Sequence, residues 1–202
     1  EVRRRPPLDD VLALWNRCVA VIDDEEIRGQ LASRGLDPAF VTSVDAARAL
    51  PRRANTPSWA ARGDVRWSEG HRLILPLFDG SGVMRSLHAR AIVVAAGEKK
   101  GLNAQGGPQV AGLAMACATA RAMLERTATP KRIVIAEGAT DFLTFVLTTA
   151  RRGTGDAVLG HISGAIDDDI VSGIPDDATV VIATDNDRGG HEYAATLTRV
   201  SP

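Results

Sequence analysis

The chain has 202 residues, 45% of them apolar and 24% charged, with a formal net charge of -1. That is enough chain for one large domain or two small ones, and the charge is too balanced for nucleic-acid binding by bulk electrostatics, so any basic patch must be local. Cys18 and Cys117 form no CxxC pair, which excludes a zinc site built from thiols, and no apolar run reaches the ~18 residues of a membrane span; a reduced, cytoplasmic protein is the expectation.

After "RRRPP", Leu8, Val11, Leu12, Leu14, Trp15, Val19 and Val21 fall near helical spacing, and Asp9 and Asp10 suit a first turn. A second helix is predicted over 24–33, closed by Gly35, and "DPAFVTSVDAARAL" reads as a third helical piece. Residues 51–68, rich in proline and arginine, read as loop. The run 73–78, a turn at "DGSG" and 83–94 predict a β-hairpin. A glycine-rich connector, "AAGEKKGLNAQGGPQ", leads to a helix predicted over 111–127. From residue 128 the rhythm changes: strands at 132–136, 157–161 and 179–184 alternate with helices at 140–150 and 189–200 and a weak helix or turn at 167–174. Continuous apolar strands alternating with helices predict a parallel sheet flanked by helices. The fold class is therefore α/β: a parallel-sheet domain at 128–202, preceded by a smaller α+β subdomain at 1–127 that carries the hairpin.

In such sheets chemistry gathers beyond the carboxyl ends of the strands. "RIVIA" runs into Glu137-Gly138, and "TVVIAT" runs into Asp185-Asn186-Asp187. If these strands are neighbours, three carboxylates meet on one rim, where two charges 4 Å apart repel by about 4 kcal/mol at an effective dielectric of 20. A proton or a cation must offset that, and hard carboxylate oxygens suit Mg²⁺ or Mn²⁺. Taken singly, Asp141 or Asp187 has a plainer reading as a helix-start residue.

These residues carry a resemblance. "IVIAEGATDFL" followed by "VVIATDNDRGGHEYA" resembles the Toprim domain of DnaG-type primases, topoisomerases and certain nucleases. Glu137, Asp185 and Asp187 fall on its acids, and Asp141 on the acid often found four places after the glutamate. Upstream, "HRLILPLFDGSGVMRSLHARAI" and "KKGLN" resemble the bacterial primase pattern of a hairpin, an arginine-ended strand and a Lys-x-Leu-Asn segment. "LASRGLDP" resembles a helix of primases carried by phages and mobile elements. The resemblance covers most of residues 25–200.

Three departures accompany it: no Cys-rich zinc finger, no GxxxxGK[ST] P-loop, and no further acid after the Asp-x-Asp helix. The chain opens on Glu1 and closes on Ser201-Pro202, so it is read as a piece of a longer protein whose Toprim part is truncated at its C-terminus. Arg188 stands where the family has a small residue.

The resemblance implies a DNA primase catalytic core that makes RNA primers on single-stranded DNA from ribonucleoside triphosphates, with a replicative helicase as partner or fused domain. It implies Glu137, Asp185, Asp187 and Asp141 as ligands of Mg²⁺ or Mn²⁺, the first three of them catalytic. It implies Arg85, Arg90, Lys99, Lys100, Asn103 and Arg188 as contacts to triphosphate or template. The alternatives are a Toprim nuclease and a non-catalytic nucleic-acid-binding module; a topoisomerase is disfavoured, because the one tyrosine, Tyr193, lies in the helix straight after the acids. His161 reads as a loop histidine near the rim, His71 and His88 as ordinary hairpin positions, and Trp15, Trp59 and Trp67 as packing residues.

Overall fold

The computed structural model describes residues 5–94, 99–105, 110–162, 168–186, 190–191 and 194–195. The chain divides into two compact units, Glu1–Pro76 with Met84–Gln109, and Leu77–Val83 with Val110–Pro202.

The first unit begins with α1 (Leu8–Arg17), β1 (Val19–Ala20) and a 3-10 turn at Val21–Asp23. Next come α2 (Glu25–Ser33), α3 (Pro38–Ser43) and β2 (Arg48–Ala49). β3 (Ala61–Arg62), β4 (Val65–Arg66), α4 (Trp67–Gly70), β5 (Leu73–Phe78, its last two residues counted with the second unit), β6 (Met84–Arg90) and β7 (Gly101–Asn103) complete it. α2 starts where Asp24 accepts a hydrogen bond from the Ile27 amide at 3.1 Å, and it stops at Gly35, whose φ of +73° suits glycine. The helix predicted through residue 50 ends instead at Ser43. Asp45 takes a positive φ of 49°, and Arg48 and Ala49 pair on both sides with β1 and β5. The sheet order is β1-β2-β5-β6-β7.

The turn between β5 and β6 is locked by the Asp79 carboxylate, which accepts from the Ser81 and Val83 amides and the Ser81 hydroxyl. β6 stops at Arg90 rather than at 94, because the Ala91 amide goes to the Lys100 carbonyl and that of Ile92 to the Gly70 carbonyl. Residues 51–68, expected as plain loop, supply Trp59, Ala60 and Trp67 to a buried cluster with Val11, Leu14, Trp15, Leu87, Ala89 and Leu102. The two indoles meet edge to face at 5.6 Å. Cys18 packs in this cluster, and burial pushes its thiol up to about 12, an unreactive state.

In the second unit β8 (Met115–Ala116) and α5 (Ala118–Leu124) occupy the segment predicted as one helix. Met115 and Ala116 are drawn into antiparallel pairing with Gly160 and Leu159, and Ala114 bridges to Phe78. Then follow β9 (Arg132–Glu137), α6 (Ala139–Arg152), β10 (Ala157–His161), α7 (Asp168–Val171) and β11 (Thr179–Ala183). The order is β11-β9-β10-β8, with β9, β10 and β11 mutually parallel as predicted. α6 buries Ala139, Phe142, Leu143, Val146 and Leu147 on one face and ends at Gly153 in the left-handed conformation. α5 packs on this sheet, so the second unit begins ahead of the change in strand rhythm at residue 128.

Candidate functional site

β9 and β11 lie side by side and run the same way, with Ala136 opposite Ala183. Their carboxyl ends therefore release Glu137 and Asp185 at one rim of the sheet. The two are in contact: the Asp185 amide donates to Glu137 Oε2 at 3.1 Å. That bond turns the glutamate toward the exit of β11, where Asp185 is exposed.

Gly138 makes this placement possible. Its φ of +83° and ψ of 160° lie in a region that side-chain-bearing residues avoid, so the chain passes from β9 into α6 within one residue. The Gly138 amide donates to the His161 carbonyl at 2.7 Å, tying the turn to the next strand. Asp141 sits exposed in the first turn of α6, at the same rim, where the helix dipole favours an acid. His161, expected in a loop, is the last residue of β10 and stands in register with Glu137. Burial drives its pKa down to about 4, so the imidazole is neutral.

The exit of β11 folds back tightly. A Cβ on Gly190 would run into the Asp185 carbonyl, and His191 Nε2 lies 3.1 Å from Asn186 Oδ1. Gly190, His191, Ala194 and Ala195 are helical. Asp187 and Arg188 lie outside the described residues. Among the described residues no group of three or more His, Cys, Asp or Glu side chains is placed to hold a metal ion. Glu137 and Asp185 bring carboxylate oxygens, of the hard kind that Mg²⁺ or Mn²⁺ takes, to the same rim.

Of the residues expected to contact phosphate, Arg85, Arg90, Lys99, Lys100 and Asn103 belong to the first unit. Arg85 and Arg90 are half-buried on β6, and Lys99 and Lys100 are exposed just before β7. The lysine backbone is anchored: His71 Nε2 lies 2.9 Å from the Lys99 carbonyl, and the Lys100 carbonyl accepts from the Ala91 amide. Asn103 ends β7 opposite His88, and His88 Nδ1 lies 2.8 Å from Asn103 Oδ1. Burial lowers His88 to about 4; the Asn103 hydrogen bond opposes that shift, and the nearby Arg90 and His71 add to it. The partnership of His88 with Asn103 was not foreseen. Its signal was the alternation in "SLHAR", which puts His88 on the face opposite Leu87 and Ala89.

No family model matches this sequence, and a search of curated proteins finds no match. Solved structures do match. One DnaG catalytic core superposes with a TM-score of 0.66 at 15% identity, over 94% of this chain and 65% of that one. A DnaG primase catalytic domain bound to single-stranded DNA matches with a TM-score of 0.63 at 16% identity, over 94% and 66%. The Aquifex aeolicus primase, comprising zinc-binding and RNA polymerase domains, gives 0.63 at 15%, over 96% of this chain and 51% of its own length. The chain has the fold of the DnaG primase catalytic core and spans just under two thirds of the first of these structures.

Proposed function

We propose that this chain is the catalytic core of a DnaG-like primase, a nucleotidyltransferase that joins ribonucleoside triphosphates into short RNA primers on a single-stranded DNA template. The observation that carries the reading is the hydrogen bond from the Asp185 amide to Glu137, which gathers two acids at the carboxyl ends of neighbouring parallel strands. The primase-core fold and the DNA-bound neighbour support it.

In this reading Glu137, Asp185, Asp187 and Asp141 would hold Mg²⁺ or Mn²⁺. When bound, the ion would neutralise charge on the triphosphate while a 3′-hydroxyl displaces pyrophosphate. The protein's own part is placement. Gly138 and the Asp185 amide fix the Glu137 carboxylate, and the neutral His161 beside it adds no competing positive charge. Arg85, Arg90, Lys99, Lys100, Asn103 and Arg188 hold phosphates of triphosphate or template, arginine by paired donors and lysine as a point charge. A helicase partner belongs to the same proposal.

Two measurements test it. Incubation with single-stranded DNA, ribonucleotides and Mn²⁺ should yield template-dependent labelled RNA; shortening of the DNA without added nucleotides would point instead to a nuclease. In calorimetry, Asp187→Asn should weaken Mn²⁺ binding by about tenfold or more, about 1.4 kcal/mol, with an unchanged circular dichroism spectrum. Equal affinity in mutant and parent would remove the metal site from the proposal.

A further inference from the structure

The β6–β7 ladder has two unlike faces. Leu87, Ala89 and Leu102 point into the apolar cluster, whereas His88, Arg90 and Asn103 alternate with them on the other face. On that second face His88 and Asn103 are direct cross-strand partners, and Arg90 stands opposite Gly101.

The imidazole occupies the space above Gly101. A Cβ there would fall 2.6 Å from His88 Cε1 and 2.7 Å from Nε2, so only glycine leaves room for the ring. Held neutral by burial, the ring has a single N–H. At 2.8 Å from Asn103 Oδ1 the Nδ1 position carries it, donating to the amide oxygen. The carboxamide is thereby fixed in one of its two orientations. Its oxygen is occupied, and its NH₂ takes no partner among the described residues and is not one of the buried unsatisfied atoms.

We infer that His88 is a positioning residue: it locks the Asn103 side chain so that its NH₂ donates to a phosphate oxygen of the nucleic-acid strand or of the incoming nucleotide. The inference rests on the reading above that Asn103 contacts substrate. Without His88 the carboxamide can turn over and set its oxygen against the phosphate, which repels it. The exposed Lys99 and Lys100, just ahead of β7, supply the charge that brings such a ligand to this edge, and Asn103 supplies the directed donor.

The test uses the full chain, with fluorescence anisotropy on a labelled oligodeoxynucleotide and calorimetry on ATP. His88→Leu keeps side-chain bulk but has no donor. His88→Asn keeps a nitrogen donor on the same Cγ. Asn103→Ala should weaken one of the two ligands about fivefold, and His88→Leu should weaken the same ligand by a similar factor. His88→Asn should bind within about twofold of the parent, and His88→Leu added to Asn103→Ala should cause no further loss. Loss for the oligonucleotide alone assigns the contact to strand phosphate, and loss for ATP alone assigns it to the nucleotide. If Asn103→Ala weakens binding while His88→Leu does not, or if the double variant is weaker still, the positioning role is overturned and the Asn103 contact stands. If Asn103→Ala binds both ligands like the parent, the contact itself is refuted and the inference goes with it. Should His88→Leu fail to fold, Gly101→Ala displaces the same ring without removing it and must give the same selective loss; parent-like binding by Gly101→Ala overturns the inference.

Discussion

Arg72→Met tests the ion network that fastens α2 to the sheet of the first unit. The Arg72 side chain is 3% exposed and its guanidinium makes four hydrogen bonds, at 2.6 and 3.0 Å to Asp24, 2.6 Å to Glu26 and 3.0 Å to the Leu50 carbonyl. Methionine fills the stem's volume but leaves Asp24 without its cation and Glu26 with Arg52 alone. Removing one side of a buried pair costs about 3–5 kcal/mol. Asp24 and Glu26 keep 15% and 38% of their side-chain surface and regain some water, so the lower figure applies, about 3 kcal/mol. For a chain of this size that is a fall of about 6–12 °C in Tm.

Adding Asp24→Asn removes the stranded charge while Asn keeps a capping oxygen for α2, and this should restore about 1 kcal/mol or more. The pH profile gives a second reading. Burial raises the Asp24 carboxyl, but the Arg72 hydrogen bonds and charge together with the Ile27 and Glu26 amides outweigh it and hold Asp24 below 3.8; the Arg72 hydrogen bond, with help from Arg52, holds Glu26 below 4.5. Folded carboxyls with lowered pKa bind fewer protons than unfolded ones. Their stabilisation is therefore present above about pH 5 and is lost as pH falls through and below the ordinary carboxyl range. Arg72→Met should flatten that acid limb. Urea titrations from pH 7 to pH 3 measure both effects. A mutant melting within about 2 °C of the parent, or a double variant no more stable than the single one, would refute the reasoning.

Three further outcomes are expected. Gly138→Ala, forced to hold φ near +83°, should cost about 1–3 kcal/mol by thermal melting; an unchanged Tm would show that the turn relaxes freely. Gly160→Ala places a Cβ 2.8 and 2.9 Å from Cβ and Cγ of the fully buried Phe142, an overpacking that should also cost about 1–3 kcal/mol; a mutant as stable as the parent would deny the crowding. His88 and His161, buried neutral with pKa lowered from 6.5 to about 4, bind protons more readily unfolded. Stability should therefore be full above about pH 6.5 and fall by about 3 kcal/mol per histidine on the way down to pH 4, a slope that His88→Leu should roughly halve in denaturant midpoints.

The parallel sheet was legible because β9, β10 and β11 are largely apolar runs, of which β9 and β10 are buried on both faces while β11 is only half-buried. The acids were legible because a strand ending in Glu-Gly and another ending in Asp-x-Asp are local patterns. Two-residue strands have no period of their own, so β2 at Arg48–Ala49 and β8 at Met115–Ala116 were read as helix. They exist only because a distant strand offers its edge. Trp59 and Trp67 sit in a stretch with no repeat, and only the packed cluster marks them as core.

The sequence alone thus determined the order of the sheet-forming segments and which acids stand at strand ends, since both follow from side-chain type along a few consecutive residues. Tertiary structure decided which ends are neighbours: that β11 lies against β9 and so brings the Asp185 amide to Glu137, and that β7 lies against β6 and so brings Asn103 to His88. Register between separate strands is set by the hydrogen-bonded ladder and the faces that must be buried together, and neither can be read from one segment at a time.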